Sequence, residues 1–368
     1  MPISHEICSN MPDKDAAKLF RKGLMKWNSV ENHRVMPWKG EKDPYKIWLS
    51  EIILQQTRVE QGTEYFNRFV SRFPDICKLA GTDDKEVYKL WEGLGYYSRC
   101  KNLLITARFI AGPLKGKFPD TYPEILALKG VGSYTAAAIA SFGFNLPYAV
   151  VDGNVYRVIA RYFGIGLAVD STAGKKEFER IAGLLLDIRK PGLYNQAIMD
   201  FGATVCKPVQ PLCPTCALRK NCTARIQESV ARLPVKEKKL KLRTRHFLYI
   251  LFTYRRKLYV HRRPAGDIWE NLYEFNLVET DVPREWTSRN LSTEVRRMAG
   301  HKDFLPGELS GPYRQRLSHQ EINARFLTVK LLSPPLNTQI EALPVNQIST
   351  VPFPGIITKF LKHKNLYL

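Results

Sequence analysis

The sequence has no apolar run of membrane-spanning length, so no spanning helix is expected. No strongly amphipathic basic stretch stands out as a membrane-surface anchor either. The opening residues do not read as a signal peptide, so none is expected, and cysteines number only seven in 368 residues. Cys8, Cys77 and Cys100 are scattered without pattern, which argues against a disulfide framework and for a reducing interior, here the cytoplasm. Internal repeats and low-complexity tracts are absent, although the proline-containing stretch 333–354 reads as irregular. Acidic residues are the other shortage: 35 Asp and Glu stand against 56 Lys and Arg, a formal charge of +21. Such an excess suits a protein that lies along phosphates.

The remaining four cysteines are concentrated. Cys206, Cys213, Cys216 and Cys222 follow the spacing C-x6-C-x2-C-x5-C. Four thiolates on one short loop can each ligate an iron corner of a [4Fe-4S] cluster, and Pro208, Pro211 and Pro214 favour the irregular backbone this needs. A structural zinc site usually has two C-x2-C pairs, and only one is present.

At 368 residues the chain is long for one core, so two domains are expected. Helical signals and glycine punctuation run from about 15 to 225, which reads as an all-α domain. Residues 232–245 carry seven cations against Glu237 and read as a basic linker able to touch phosphates. Beyond it, segments 246–253, 257–261, 273–278 and 322–331 read as strands with a helix near 285–300, a smaller α+β module. The expected boundaries are 1–228, 229–245 and 246–368.

Three places carry candidate chemistry. Leu128-Lys129-Gly130-Val131-Gly132-Ser133-Tyr134-Thr135 puts a tight glycine turn before an alanine-rich helix. Free amides at a helix start bind phosphate without reading a base, although the same turn also serves as a plain helix connection. Glu51 lies in the nearly continuous apolar run 47–54, where burial should raise its pKa and leave it protonated near neutrality, as a general acid requires. The competing reading pairs it with Lys46 or Arg58 on a wet helix edge. Asp152 precedes a helix in Val150-Val151-Asp152-Gly153-Asn154-Val155. A helix cap explains Asp152 or Asn154 but not both, which leaves one group free for a pocket floor. One protonated and one ionised carboxyl group are what glycosidic cleavage uses.

Together the hairpin 128–135, Asp152, the cysteine loop 206–222 and Trp48-Leu49-Ser50-Glu51-Ile52-Ile53-Leu54-Gln55-Gln56-Thr57-Arg58-Val59 resemble the endonuclease III superfamily of DNA glycosylases, specifically its MutY-type adenine glycosylases. The match is strong over roughly residues 17 to 225. The resemblance implies an all-α helix-hairpin-helix glycosylase domain with a [4Fe-4S] loop, followed by a Nudix-like α+β domain that recognises 8-oxoguanine. It implies excision of adenine from A:8-oxoguanine or A:G mispairs in double-stranded DNA by a monomer working at the nucleoid. Glu51 would protonate the adenine ring and Asp152 would stabilise the sugar cation, with Tyr134 and Asn154 positioning them. Arg34 and Trp38 would form the pocket for the flipped base, which leaves the stack at a cost of a few kcal/mol. Gln56 and Tyr96 would form the wedge, Thr57 would contact DNA beside Gln56, and Lys129, Gly130, Gly132 and Ser133 would hold the backbone.

Bifunctional relatives carry a lysine at the position of Tyr134, so the expectation is a monofunctional enzyme. The alternative is an endonuclease III-like glycosylase and lyase acting on oxidised pyrimidines. Ser318 and His319 align with the loop that would contact the oxidised base. Segment 267–275 lacks the double glycine expected there, and no paired acids of a metal-binding Nudix box are visible between 284 and 300.

Overall fold

The computed structural model describes residues 12–237, 242–336 and 340–366. Backbone contacts divide the chain into two units, Met1–Ala80 with Ile105–Lys239, and Gly81–Leu104 with Leu240–Leu368. The division is therefore not a single break near 229–245, because residues 81–104 fold with the second half. Of the expected linker, residues 238–241 lie outside the described residues, and Cys8 does too.

The first unit is helical: α1 (Lys14–Val30), α2 (Pro44–Leu54), α3 (Val59–Arg72) and α4 (Ile76–Ala80) precede the excursion. The excursion holds α5 (Asp84–Trp91) and the start of α6 (Tyr97–Ala111). Then come α7 (Tyr122–Ala127), α8 (Ser133–Gly143), α9 (Gly153–Phe163), α10 (Thr172–Leu185), α11 (Pro191–Thr204) and α12 (Thr223–Ile226). Helix α2 starts where Asp43 accepts from the Tyr45 amide at 2.9 Å with Pro44 in the first turn, a start signal that satisfies one orphan donor. It buries every residue from Ile47 to Ile53. A helix apolar all round belongs inside a core, so its one carboxyl group, Glu51, is carried inside with it.

A second core joins Phe20, Leu24 and Trp27 of α1 to Val155, Val158 and Ile159 of α9 and to Ile181, Tyr194 and Phe201. Helix α9 has its apolar residues on one face and ends at Gly164, whose φ of 70° is the left-handed cap glycine tolerates.

The second unit is a seven-stranded mixed sheet ordered β3-β2-β1-β6-β5, with β4 beside β1 and β7 beside β2. Its strands are β1 (Arg243–Tyr254), β2 (Lys257–Arg262), β3 (Tyr273–Glu274), β4 (Asn276–Thr280), β5 (Phe304–Arg316), β6 (Gln320–Leu331) and β7 (Glu341–Pro344). Strands β1 and β6 are parallel neighbours and the other pairs antiparallel. Such a centre needs cover on both faces. On one face Leu248, Ile250, Leu327 and Val329 pack on Val295 and Ala299 of α13 (Ser288–Ala299). On the other, Phe326 stacks on Phe360 of α14 (Gly355–His363) at 4.1 Å.

Arg243 and Arg245, read as linker cations facing phosphates, belong instead to β1. Arg245 is 6 % exposed and is bound by Asp267 at 2.6 and 2.7 Å and by Glu279 at 2.6 and 2.7 Å, so it is not free for DNA. The stretch 333–354 is not wholly irregular, since it contains β7 and a 3-10 turn at Val345–Thr350.

Candidate active site and opposite-base pocket

Glu51 is 5 % exposed, and burial pushes its pKa from 4.5 to about 7. The hydroxyl of Tyr134, at the start of α8, favours the carboxylate and opposes this rise, while the charge of Asp152 adds to it. Burial and the two neighbouring carboxyl groups keep the Tyr134 phenol neutral, well above its usual range. Lys46 takes no part: it pairs with Glu41 at 3.6 Å and Asp43 at 4.0 Å. The structure thus brings Glu51, Tyr134 and Asp152 into one electrostatic group, from α2, α8 and the start of α9.

Asp152 is the helix cap. Its Oδ1 accepts from the amides of Asn154 at 2.9 Å and Val155 at 2.8 Å. Asn154 is not a rival cap: its Nδ2 donates to Asp152 Oδ2 at 2.7 Å. Capping and pocket roles are thus not divided between the two residues. Burial nevertheless raises the Asp152 pKa against these three donors.

The chain from Asn154 continues inward. Asn154 Oδ1 accepts from Arg157 Nη2 at 2.8 Å, and the same guanidinium donates to the carbonyls of Cys206 at 2.7 Å and Gly202 at 2.7 Å. One turn on, Arg161 donates to the Lys207 carbonyl at 2.7 Å and to Cys206 Sγ at 3.6 Å. Two buried arginines of α9 therefore tie the cap to the cysteine loop. Neither was singled out from sequence, because an arginine on a helix face reads as solvated unless its carbonyl partners are known.

Cys206, Cys213, Cys216 and Cys222 are free thiols lining one mostly apolar cleft with Arg161, Phe201 and Leu218. Burial raises the thiols of Cys206 and Cys222 and pushes Cys216 up to about 11, and neighbouring sulfurs add to each rise. Among the described residues no group of three or more His, Cys, Asp or Glu is placed to grip a metal ion.

Arg34 and Trp38 lie in the loop 31–43, fastened by a residue the sequence reading did not single out. Asp200 of α11 is fully buried and accepts from Arg34 at 2.9 Å, Lys39 at 2.9 Å, Asn32 at 3.0 Å and Gln196 at 3.0 Å. Trp38 packs edge-on to Phe66 at 5.4 Å.

The hairpin turn has the expected form. Gly130 takes φ 79°, which favours glycine, whereas Gly132 is extended at φ −99° and caps α8 without a side-chain bond. The helix start therefore leaves amides open beside the exposed Lys129 and Ser133. The Thr106 hydroxyl donates to the Lys129 carbonyl at 2.8 Å and fixes the turn.

Gln56, next to Thr57, is exposed with φ 58°. Tyr96, in the second unit, is 39 % exposed with φ 47°. Left-handed backbone at non-glycine residues is costly and gathers at functional positions. Tyr97 is the packing member of its pair, 7 % exposed and stacked with Tyr88 at 6.4 Å.

Within the second unit a cavity of about 480 Å³ is lined by Gly93 to Ser98, Asp267 to Glu270 and Gln315 to His319. Tyr96, Ser318 and His319 thus share one pocket. Where a double glycine was expected, Trp269 and Asn271 adopt φ 63° and 68°. Arg263 secures that turn by donating to the Ile268 carbonyl at 2.8 Å and to Asp267 at 2.6 Å.

The helical fold, the hairpin and the paired carboxyl groups define a class, that of helix-hairpin-helix base-excision enzymes. Residues 49–183 match the model of the HhH-GPD superfamily of base excision DNA repair proteins. A solved thermostable thymine-DNA glycosylase is similar, at TM-score 0.53 and 30 % identity over 57 % of this chain and 97 % of that one. An endonuclease III in a DNA complex shares the fold at TM-score 0.51, covering 59 % of this chain and 99 % of that one, at 19 % identity. An adenine DNA glycosylase of Buchnera aphidicola subsp. Schizaphis graminum is 33 % identical over 273 residues, 74 % of this chain and 79 % of its own. The Homo sapiens adenine DNA glycosylase is 40 % identical over 58 % of this chain and 41 % of its own. The chain belongs to the adenine DNA glycosylases.

Proposed function

We propose that the chain excises adenine lying opposite 8-oxoguanine or guanine in duplex DNA, by hydrolysis of the N-glycosidic bond without a covalent amine step. The observation that carries this reading is Glu51, a buried carboxyl group with a pKa of about 7, grouped with Asp152 and with Tyr134 where a nucleophilic lysine would otherwise stand. Glu51 holds a proton at neutral pH and delivers it to the adenine ring as the bond to the sugar lengthens. The Asp152 carboxylate, fixed by three donors, faces the positive charge developing on the sugar and stabilises it or captures it before water arrives. Asn154 positions Asp152, and Arg34 with Trp38 walls the space for the extruded base.

The open amides at the start of α8 and the +21 charge hold the phosphates. In the second unit, Tyr96 fills the gap left by the adenine while Ser318 and His319 read the opposite base by hydrogen bonds. Ser318 Oγ and His319 Nδ1 lie 3.0 Å apart at the pocket wall. Cys206, Cys213, Cys216 and Cys222 would hold a [4Fe-4S] cluster. The fit rests on four free thiols sharing one cleft, with Arg161 donating to one sulfur. A bound cluster would supply a fixed anchor for the loop bearing Lys207, Arg219 and Lys220.

A duplex containing A:8-oxoguanine should yield an alkali-labile abasic site, and Glu51→Gln should abolish release while binding persists. Unimpaired release by that variant would remove Glu51 from the reaction. An endonuclease III-like lyase is the disfavoured alternative, and efficient borohydride trapping of a protein–DNA adduct would be needed to revive it.

A further inference from the structure

The loop that carries Tyr96 is not free-standing. It begins at Glu92, the residue that ends α5, and Glu92 is bonded to the chain on either side of Gly355, a residue of the other wall of the same pocket. Its Oε1 accepts from the Thr358 hydroxyl at 2.9 Å and from the Phe353 amide at 3.3 Å, while the Lys89 ammonium contacts its Oε2. Phe353 and Thr358 bracket the start of α14, whose first residue, Gly355, lines the pocket with Gln315 to His319. A carboxylate at a helix N-terminus is favoured by the orphan amides and by the helix dipole. Glu92 places a carboxylate beside the start of α14 from a separate segment of chain, bonded to the Phe353 amide just before the helix and to the Thr358 hydroxyl within it. A second tie lies on the far side of the loop, where Lys101 of α6 meets Glu270 at 2.5 Å, and Glu270 also lines the pocket.

We infer that Glu92 is a positioning residue for opposite-base discrimination, holding the Tyr96 loop in register with the wall that carries Ser318 and His319. Gly93 and Gly95 take φ 96° and 70°, which glycine accommodates, whereas Tyr96 at φ 47° is a strained non-glycine residue whose position depends on how the loop is held at its base. The Trp91 indole and the Arg99 guanidinium fasten its tip, donating to the Gly95 carbonyl at 3.1 and 3.2 Å, so Glu92 sets where the loop sits rather than whether it folds. This inference rests on the reading of the second unit's pocket given above.

The test uses the full chain and duplexes with adenine opposite 8-oxoguanine, guanine or thymine. Glu92→Ala and the nearly isosteric Thr358→Val are compared for dissociation constant and single-turnover rate, with 2-aminopurine beside the opposite base reporting insertion of the wedge. Loss of one charge-assisted bond predicts a drop of roughly tenfold in the preference for 8-oxoguanine over guanine. Glu92→Gln, which keeps an acceptor oxygen, should recover part of it, and the 2-aminopurine signal should fall in parallel. Ser318→Ala with His319→Ala separates the two ideas. If that pair loses discrimination while Glu92→Ala and Thr358→Val keep it, Glu92 has no positioning role. If the Ser318 and His319 pair keeps discrimination, the pocket reading itself fails. Thr358→Val is the milder change, and unaltered discrimination in a folded Thr358→Val protein would overturn the inference even if Glu92→Ala does not fold.

Discussion

The Tyr134 hydroxyl favours the ionised form of the Glu51 carboxyl group, and this works against the burial that lifts the Glu51 pKa to about 7. Removing the hydroxyl should therefore raise that pKa further. Because the protonated acid is the active form in the proposed reaction, the rate should decline as pH rises through the Glu51 pKa. In Tyr134→Phe the decline should move to higher pH, seen in single-turnover excision rates over a window of roughly three pH units, from about pH 6 to about pH 9. A limb that stays in place would mean another group governs it.

Burial of Glu51 also costs stability with a definite sign. The folded pKa of about 7 lies above the ordinary 4.5, so the native state binds the extra proton between these values. Below 4.5 both states are protonated and there is no penalty; as pH rises toward 7 stability falls, and above 7 the full cost remains. That cost is about 3 kcal/mol at most. Glu51→Gln should consequently be more stable than the parent at pH 8 and indistinguishable near pH 4. Denaturant unfolding at the two pH values measures the difference, and a gain independent of pH would rule out ionisation as its source.

The feature that flagged Glu51, an acid inside an apolar helical run, was equally present at Asp200 in Ala197-Ile198-Met199-Asp200-Phe201. Its role was not legible because its partners come from residues 32–39, far away in sequence. The cysteine spacing, the glycine turn and the helix start at Asp152 are local patterns, and local patterns were readable. Strand β5 was missed because Pro306, Gly307, Gly311 and Pro312 interrupt its alternation, and its pairing with β6 shifts register at those places. The segment 273–278, read as one strand, is two, with β3 on β2 and β4 on β1. That residues 81–104 fold with the second unit is decided by Glu92 and Lys101, tertiary partners that no periodicity encodes.

Asp152→Asn separates capping from chemistry. Asparagine caps helices about as well as aspartate, and its carbonyl oxygen can take the place of Oδ1, which accepts from Asn154 and Val155. The melting temperature should change little. The negative charge that the proposed reaction sets against the sugar cation is lost, and excision should fall by orders of magnitude at unchanged duplex affinity. A parallel loss of stability and activity would instead assign Asp152 to the fold alone.

Gly202 is where the site depends on close packing between helices α9 and α11. A β-carbon added there would lie 2.6 Å from Asn154 Cβ and 3.0 Å from the Asn154 carbonyl oxygen, contacts that force the backbone apart. Gly202→Ala should destabilise the protein by about 1–3 kcal/mol, the usual cost of overpacking. It should also slow excision, because Asn154 is the residue displaced and it holds both Asp152 and Arg157. Gly183→Ala in α10 is the matched control, since nothing lies within 4 Å of its added carbon. There the gain in helix propensity should stabilise by roughly 0.5–1 kcal/mol with activity untouched. If the two substitutions behave alike in thermal melts and single-turnover assays, the contact between Gly202 and Asn154 does not set the geometry of Asp152.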